Sequence, residues 1–157
     1  MRYWLLKSEP GTFGIDDLAR SPDSTTCWDG VRNYQARNFI RDDMRPGDQA
    51  FFYHSNCPET GVAGIVEVVS PPYPDATALD PDDPHHDPKS TADEPRWYMV
   101  DVRLVEKFPR IVTLETLKTS GAKALEDFQL LKRGNRLSVL PVTSSQWRCI
   151  LKFAKRS

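Results

Sequence analysis

Residues 70–95 hold seven prolines among many acids, with little apolar periodicity. Proline fixes φ and donates no backbone hydrogen bond, so a stretch this dense in it enters neither a helix interior nor a central strand. A long loop therefore interrupts the chain near its midpoint, and the core must be built from the segments on either side. A loop of this length inside a compact domain is either functional or mobile. It is also acidic. Residues 75–94 carry Asp75, Asp80, Asp82, Asp83, Asp87, Asp93 and Glu94 against one base, Lys89, while the remainder of the chain is net basic. The overall charge of −1 thus hides a basic body bearing an acidic loop. Such a loop suits a basic protein partner, and such a body suits an anionic one.

The flanks read as short strands and helices. Residues 2–7 form an opening strand, and Ile15 to Arg20 a short helix after the turn Pro10-Gly11. From Tyr34 the spacing of Ala36, Phe39, Ile40 and Met44 predicts a helix that Pro46-Gly47 stops. Asp48 to Tyr53 and Val62 to Val69 read as strands, with Gly61 and Gly64 marking a bend or a close backbone approach. Trp97 to Phe108 alternates as a half-buried strand, with a further short strand at Ile111-Val112 before a helix at Leu114 to Thr119. Ala122 to Phe128 suggests a helical turn or two, and Leu137 to Val142 a last strand. Thr143-Ser144-Ser145-Gln146 is a capping box, followed by the stripe Trp147, Ile150, Leu151 and Ala154. No repeat and no linker divides residues 1–157, so the expectation is one α+β domain: a curled sheet or barrel of five to six strands with flanking short helices.

Several function classes drop out. No apolar run reaches the ~20 residues of a membrane-spanning helix, and the start lacks a signal-peptide core. Cys27, Cys57 and Cys149 are widely spaced and odd in number, which points to reduced thiols. A cytoplasmic protein is expected, with nuclear residence left open for a eukaryotic source. No Gly-x-Ser-x-Gly, phosphate loop or His-Glu-x-x-His is present. His54 lies three residues from Cys57, a spacing that reads as a hydrogen-bonded strand-end histidine and a buried thiol ahead of a nucleophile pair. His85-His86-Asp87 lacks further ligands at a recognisable spacing, so neither a metal nor a cofactor is expected.

One segment is dense in recognition chemistry. Trp28 to Asn38 packs Trp28, Arg32, Asn33, Tyr34, Gln35, Arg37 and Asn38 around a helix start, where unpaired N–H groups favour anions and polar guests. Arg37, Arg41 and Arg45 recur every four residues, a stripe that suits a phosphate backbone or, salted with Asp42 and Asp43, a solvated helix face. Tyr53-His54-Ser55-Asn56 ends a strand in polar-capable side chains, as ligand rims often do. Lys132-Arg133-Gly134-Asn135-Arg136-Leu137-Ser138 is a basic turn suited to phosphate or to plain solvent.

Together these segments resemble the EVE family. The matching pieces are Tyr3 to Pro10, Trp28 to Asn38, Gly47-Asp48 with Phe52 to Ser55, Gly64 to Val68, Asp87 to Ser90, Pro95 to Trp97 with Val100 to Val102, and Arg136 to Val139. Gly14 departs from it, standing where a capping Ser is expected, as does Leu140, where Gln is frequent. The resemblance implies a PUA-like curled β-barrel, kinship with YTH domains that grip a methylated base in an aromatic cage, and recognition of modified bases in DNA or RNA. It places Lys7, Ser8 and Trp28 at the pocket, with Arg32, Asn33 and Tyr34 beside them, Trp97 as a second wall and Arg133 to Arg136 near phosphate.

The expectation is a non-catalytic module binding a modified base. Lys7, Ser8, Trp28, Arg32, Asn33, Tyr34, Tyr53, His54, Ser55, Trp97 and Ser138 would hold the base, and Arg37, Arg41, Arg133 and Arg136 the backbone. Stacking on an aromatic wall contributes roughly 1–3 kcal/mol per base. The alternatives are a small-molecule-binding protein or enzyme using the same cleft, with His54 or Asp29 moving a proton, and an adaptor that docks a basic protein on the acidic loop.

Overall fold

A computed structural model describes residues 1–121 and 123–155. Its elements run β1 (Tyr3–Ser8), α1 (Pro10–Phe13), α2 (Ile15–Arg20), β2 (Thr25–Cys27), α3 (Tyr34–Asn38), β3 (Gln49–His54), β4 (Gly61–Val68), β5 (Tyr73–Pro74), β6 (Tyr98–Met99), β7 (Asp101–Thr113), α4 (Leu114–Ser120), β8 (Val139–Val142) and α5 (Ser144–Lys155). Six strands form one mixed sheet in the order β2-β7-β4-β3-β1-β8. Only the β1–β3 pair is parallel, so the ends of both strands reach the same rim: Lys7 lies opposite Tyr53, and Ser8 opposite His54. The sheet curls into a half-barrel with short helices around it, the expected α+β, PUA-like architecture.

The curl has a local cause. Strand β7 is a single strand of 13 residues that runs through Pro109, where a separate short strand at Ile111-Val112 was expected. Proline is tolerated there because the ladder bulges: Lys107 faces Gly64 and Val112 faces Val62, leaving Pro109 in the irregular stretch between them. Gly64 is required by the same feature, since a Cβ on it would stand 2.2 Å from the Glu106 carbonyl oxygen.

The core is continuous from Trp4 on β1 to Ala154 on α5. Trp147 stacks on Phe51 at 3.9 Å and on Tyr3 at 4.4 Å, joining α5 to the sheet. The capping box forms as the sequence predicts: Thr143 Oγ1 accepts from Gln146 N and Gln146 Oε1 from Thr143 N. The helix expected from Tyr34 to Met44 is α-helical only to Asn38. It widens into a π turn over Phe39–Asp43, closed by Met44 N donating to the Phe39 carbonyl, and this keeps both Ile40 and Met44 in the core. In place of helical turns over 122–128, residues 123–127 form plain turns, with Leu125 and Phe128 buried; Ala122 lies outside the described residues.

The proline-rich loop is packed, and its acids explain how. Asp75, Asp80, Asp83 and Asp87 each accept a hydrogen bond from the backbone N–H two residues on, so the loop is a chain of Asx turns. Asp75 itself is buried. It accepts from Gly30 N at 2.8 Å and Arg32 Nη1 at 3.1 Å, which ties the loop to the segment after Trp28. No described helix is long and apolar enough to cross a membrane.

Candidate functional site

The rim shared by β1 and β3 opens on a cleft of about 350 Å³ lined by Lys7, Ser8, Thr12, Phe13, Thr26, Cys27, Trp28 and Asp29. Backbone bonds fix this rim from three sides. Lys7 N donates to the Ser138 carbonyl, Ser55 N to the Ser8 carbonyl, and Trp28 N to the Val100 carbonyl. The indole of Trp28 meets Phe52 edge-on at 5.4 Å, so the core sets its plane, and only 7% of the residue remains exposed.

Helix α1 lines the cleft through Thr12 and Phe13, and α2 follows it directly. Ser8 Oγ donates to the Phe13 carbonyl at 2.6 Å, binding α1 to the strand end. Gly14 has no side chain to cap α2, and His54 supplies the missing acceptor: its Nε2 accepts from Ile15 N at 3.1 Å, placing the ring proton on Nδ1. Burial pushes the His54 imidazole below its ordinary range, with Asp16 opposing and Lys107 adding slightly. The ring is thereby a structural acceptor. The Cys57 thiol lies 4.0 Å from Thr60 Oγ1, and no hydrogen bond joins it to His54 among the described residues.

Two charged groups on the cleft have no partner among the described residues outside their own backbone. Lys7 is half-buried, and burial pushes its ammonium below the usual lysine range. Asp29 reaches solvent, yet the surrounding protein first, and the Asp75 and Asp83 carboxylates after it, push its carboxyl up, with His85 opposing. Cys27 beside it is pushed up by burial and by Asp29, which keeps the thiol protonated and a poor nucleophile. Ser8 Oγ, by contrast, is already committed.

Of the residues singled out in the sequence, Lys7, Ser8 and Trp28 line the cleft, and Tyr53, Ser55 and Ser138 support its rim from behind. Tyr53 is buried, which raises its phenol to about 12. Arg32 is turned away: it pairs with Asp75 and donates to Thr77 Oγ1 and the His85 carbonyl. Asn33 caps α3 through Ala36 N. Tyr34 and Trp97 stack on each other at 4.8 Å, with Arg37 over the tyrosine and Arg32 over the tryptophan. Trp97 is not among the cleft's lining residues, and Asp87 takes its indole N–H at 2.6 Å. Arg41 pairs with Asp42. Arg133 and Arg136 are exposed and unpaired among the described residues, and Arg136 borders a polar hollow of about 220 Å³ with Asn33, Gln35 and Asn135. Sequence reasoning missed Thr12, Phe13 and Thr26. Phe13 sat unassigned between the turn Pro10-Gly11 and the helix from Ile15, and an aromatic there with no helical or strand stripe to join was the available signal.

Comparison with known proteins places this geometry. The EVE domain model matches residues 2–153. Human thymocyte nuclear protein 1 is 44% identical over 98% of this chain and 74% of its own length. The crystal structure of human THYN1 in complex with 5-methylcytosine-containing DNA superposes with a TM-score of 0.93 at 43% identity, covering 100% of this chain and 99% of that one. A YTH domain from Zygosaccharomyces rouxii shares the fold at a TM-score of 0.52 and 15% identity, over 98% of this chain and 86% of that one. The chain belongs to the EVE family.

Proposed function

We propose that this protein is a non-catalytic module that holds one modified base of a nucleic acid in the cleft beside Trp28. The carrying observation is the cleft itself. It joins an indole of fixed orientation, the partly buried Phe13, an unpartnered ammonium at Lys7 and an unpartnered carboxylate at Asp29. A flat polar guest is what such a lining suits: its face gains from stacking, and its edge needs hydrogen-bond partners on burial. The THYN1 relative bound to 5-methylcytosine DNA supports the same guest here.

Lys7, Trp28 and Asp29 carry the base in this reading, with Ser8, Tyr53, His54, Ser55 and Ser138 holding the rim. Arg32, Asn33, Tyr34 and Trp97 position Trp28 through the loop rather than touching the guest. Arg133 and Arg136, being unpaired, take the phosphate backbone, whereas Arg37 and Arg41 are already engaged by neighbours. His54 has its acceptor nitrogen committed to Ile15, which disfavours it as a proton shuttle.

The test is binding of short single-stranded DNA and RNA carrying one modified base against the unmodified strand, over a range of salt. The expected result is tighter binding to one modified strand, weakened by salt and lost in Trp28→Ala. Because Trp28 is buried, Phe13→Ala serves as the second variant. Equal affinity for modified and plain strands contradicts the reading.

A further inference from the structure

The carboxylates of this protein differ in what they do. Asp48 accepts from Arg2 N, Trp4 Nε1 and Arg45 N. Asp75 and Asp87 likewise hold backbone and side-chain donors. Asp29 holds none from any other described residue, although it lines the cleft. A negative charge at that position repels a phosphodiester and is disfavoured by the neighbouring Asp75 and Asp83. Its one favourable neighbour is His85, and no hydrogen bond from another described residue offsets this. On the same cleft Lys7 is the converse, a half-buried ammonium with no acceptor. The two do not pair with each other.

Resting on the reading that the cleft takes a base, we infer that Asp29 and Lys7 read the polar edge of that base, Asp29 accepting from an exocyclic amino group and Lys7 donating to the ring acceptor beside it. The cleft therefore selects amino-bearing bases over keto-bearing ones. A keto base such as thymine turns carbonyl oxygens towards the carboxylate on both sides of its single N–H. A cytosine-type edge offers an amino donor next to an unprotonated ring nitrogen and a carbonyl, which matches one carboxylate and one ammonium. Asp29 is thus a specificity-determining residue, separate from the stacking wall of Trp28.

5-Methylcytosine and thymine isolate this edge, because they share shape and methyl group and differ in the amino-for-keto exchange. Fluorescence anisotropy with short single-stranded DNA carrying one or the other at a single position, in an otherwise identical strand, measures the preference directly. The wild-type protein should hold the 5-methylcytosine strand about tenfold or more tighter than the thymine strand, the scale of one charge-assisted hydrogen bond. In Asp29→Asn, whose amide can donate to the keto oxygen, the ratio should fall towards unity while both strands still bind. A purely structural role for Asp29 would weaken both strands together and leave the ratio unchanged. An unchanged ratio in Asp29→Asn, or a wild-type protein that binds both strands equally, overturns this inference and leaves base binding standing. A wild-type protein that binds no modified strand in preference to plain DNA or RNA overturns the proposed function, and this inference with it.

Discussion

Replacing Asp75 with Asn tests how the cleft is held. The Asp75 side chain is fully buried, and each of its oxygens serves two donors: Gly30 N and Arg32 on one, Thr77 N and Oγ1 on the other. An amide of the same shape can turn either way, but its NH2 then faces a backbone N–H. One buried donor is stranded, at a cost of about 1–3 kcal/mol, and the charge that Arg32 neutralised is gone. The expected loss is about 2–4 kcal/mol, a large part of the ~5–15 kcal/mol typical of a domain. Urea denaturation at pH 7, followed by tryptophan fluorescence, measures it as a lower midpoint at unchanged slope. The loss should depend on pH. Burial pushes the Asp75 carboxyl up, but the bonds from Thr77, Gly30 and Arg32 together outweigh it and hold the group below its ordinary value. A carboxylate held low stabilises the fold above its unfolded pKa of about 3.9 and loses that contribution as pH falls through the lower folded value. The gap between wild type and Asp75→Asn should therefore be constant near neutrality and narrow only below about pH 4. A loss under about 0.5 kcal/mol at pH 7 would refute the claim that this carboxylate clamps the loop to the cleft.

Three further outcomes follow from the same structure. Asp48→Asn strands either the Trp4 indole or a backbone N–H in the core, and should lower the urea stability by roughly 2–4 kcal/mol. Gly64→Ala places a Cβ against the Glu106 carbonyl and the Ile15 methyl, and should cost about 3 kcal/mol or more in thermal or urea unfolding because backbone must shift. His54 has a folded pKa held below its unfolded value of about 6.5, so stability should fall as pH drops from there to the folded value. An NMR titration should show the Ile15 amide moving with the His54 ring, and an Ile15 amide indifferent to that protonation would contradict the capping role.

Local rules made much of the fold legible. The Thr143 capping box, the apolar stripe of α5 and the near-continuous apolar run of β4 carry their structure in adjacent residues. The elements read differently are those decided by distant partners. Pro109 argues for a strand break until the bulge between Lys107, opposite Gly64, and Val112, opposite Val62, accommodates it. The helix from Tyr34 keeps a regular period in sequence, yet burying both Ile40 and Met44 widens its second turn. The acidic loop shows the same limit. Its composition suggests a solvated arm, and nothing local tells that Asp75 is its buried anchor, although the repeated Asp two residues before an amide was the visible sign of Asx turns.

The site divides in the same way. Lys7, Ser8 and Trp28, singled out by the family resemblance, line one cleft in the structure. Tyr34 and Trp97 stack on each other 63 positions apart, and that pairing has no sequence signal. Asp29 was visible only as a titratable group, and its significance lies in having no structural partner. That property belongs to the three-dimensional arrangement alone.

The most direct measurement of the central claim is an NMR titration of the 15N-labelled protein with single-stranded DNA carrying one 5-methylcytosine. The indole N–H of Trp28 and the amides of Phe13 and Asp29 should shift or broaden saturably, while the indole N–H of Trp97, held by Asp87, stays in place. Saturable shifts at Trp97 and Tyr34 with Trp28 unmoved would contradict the account, because the guest would then lie outside the cleft.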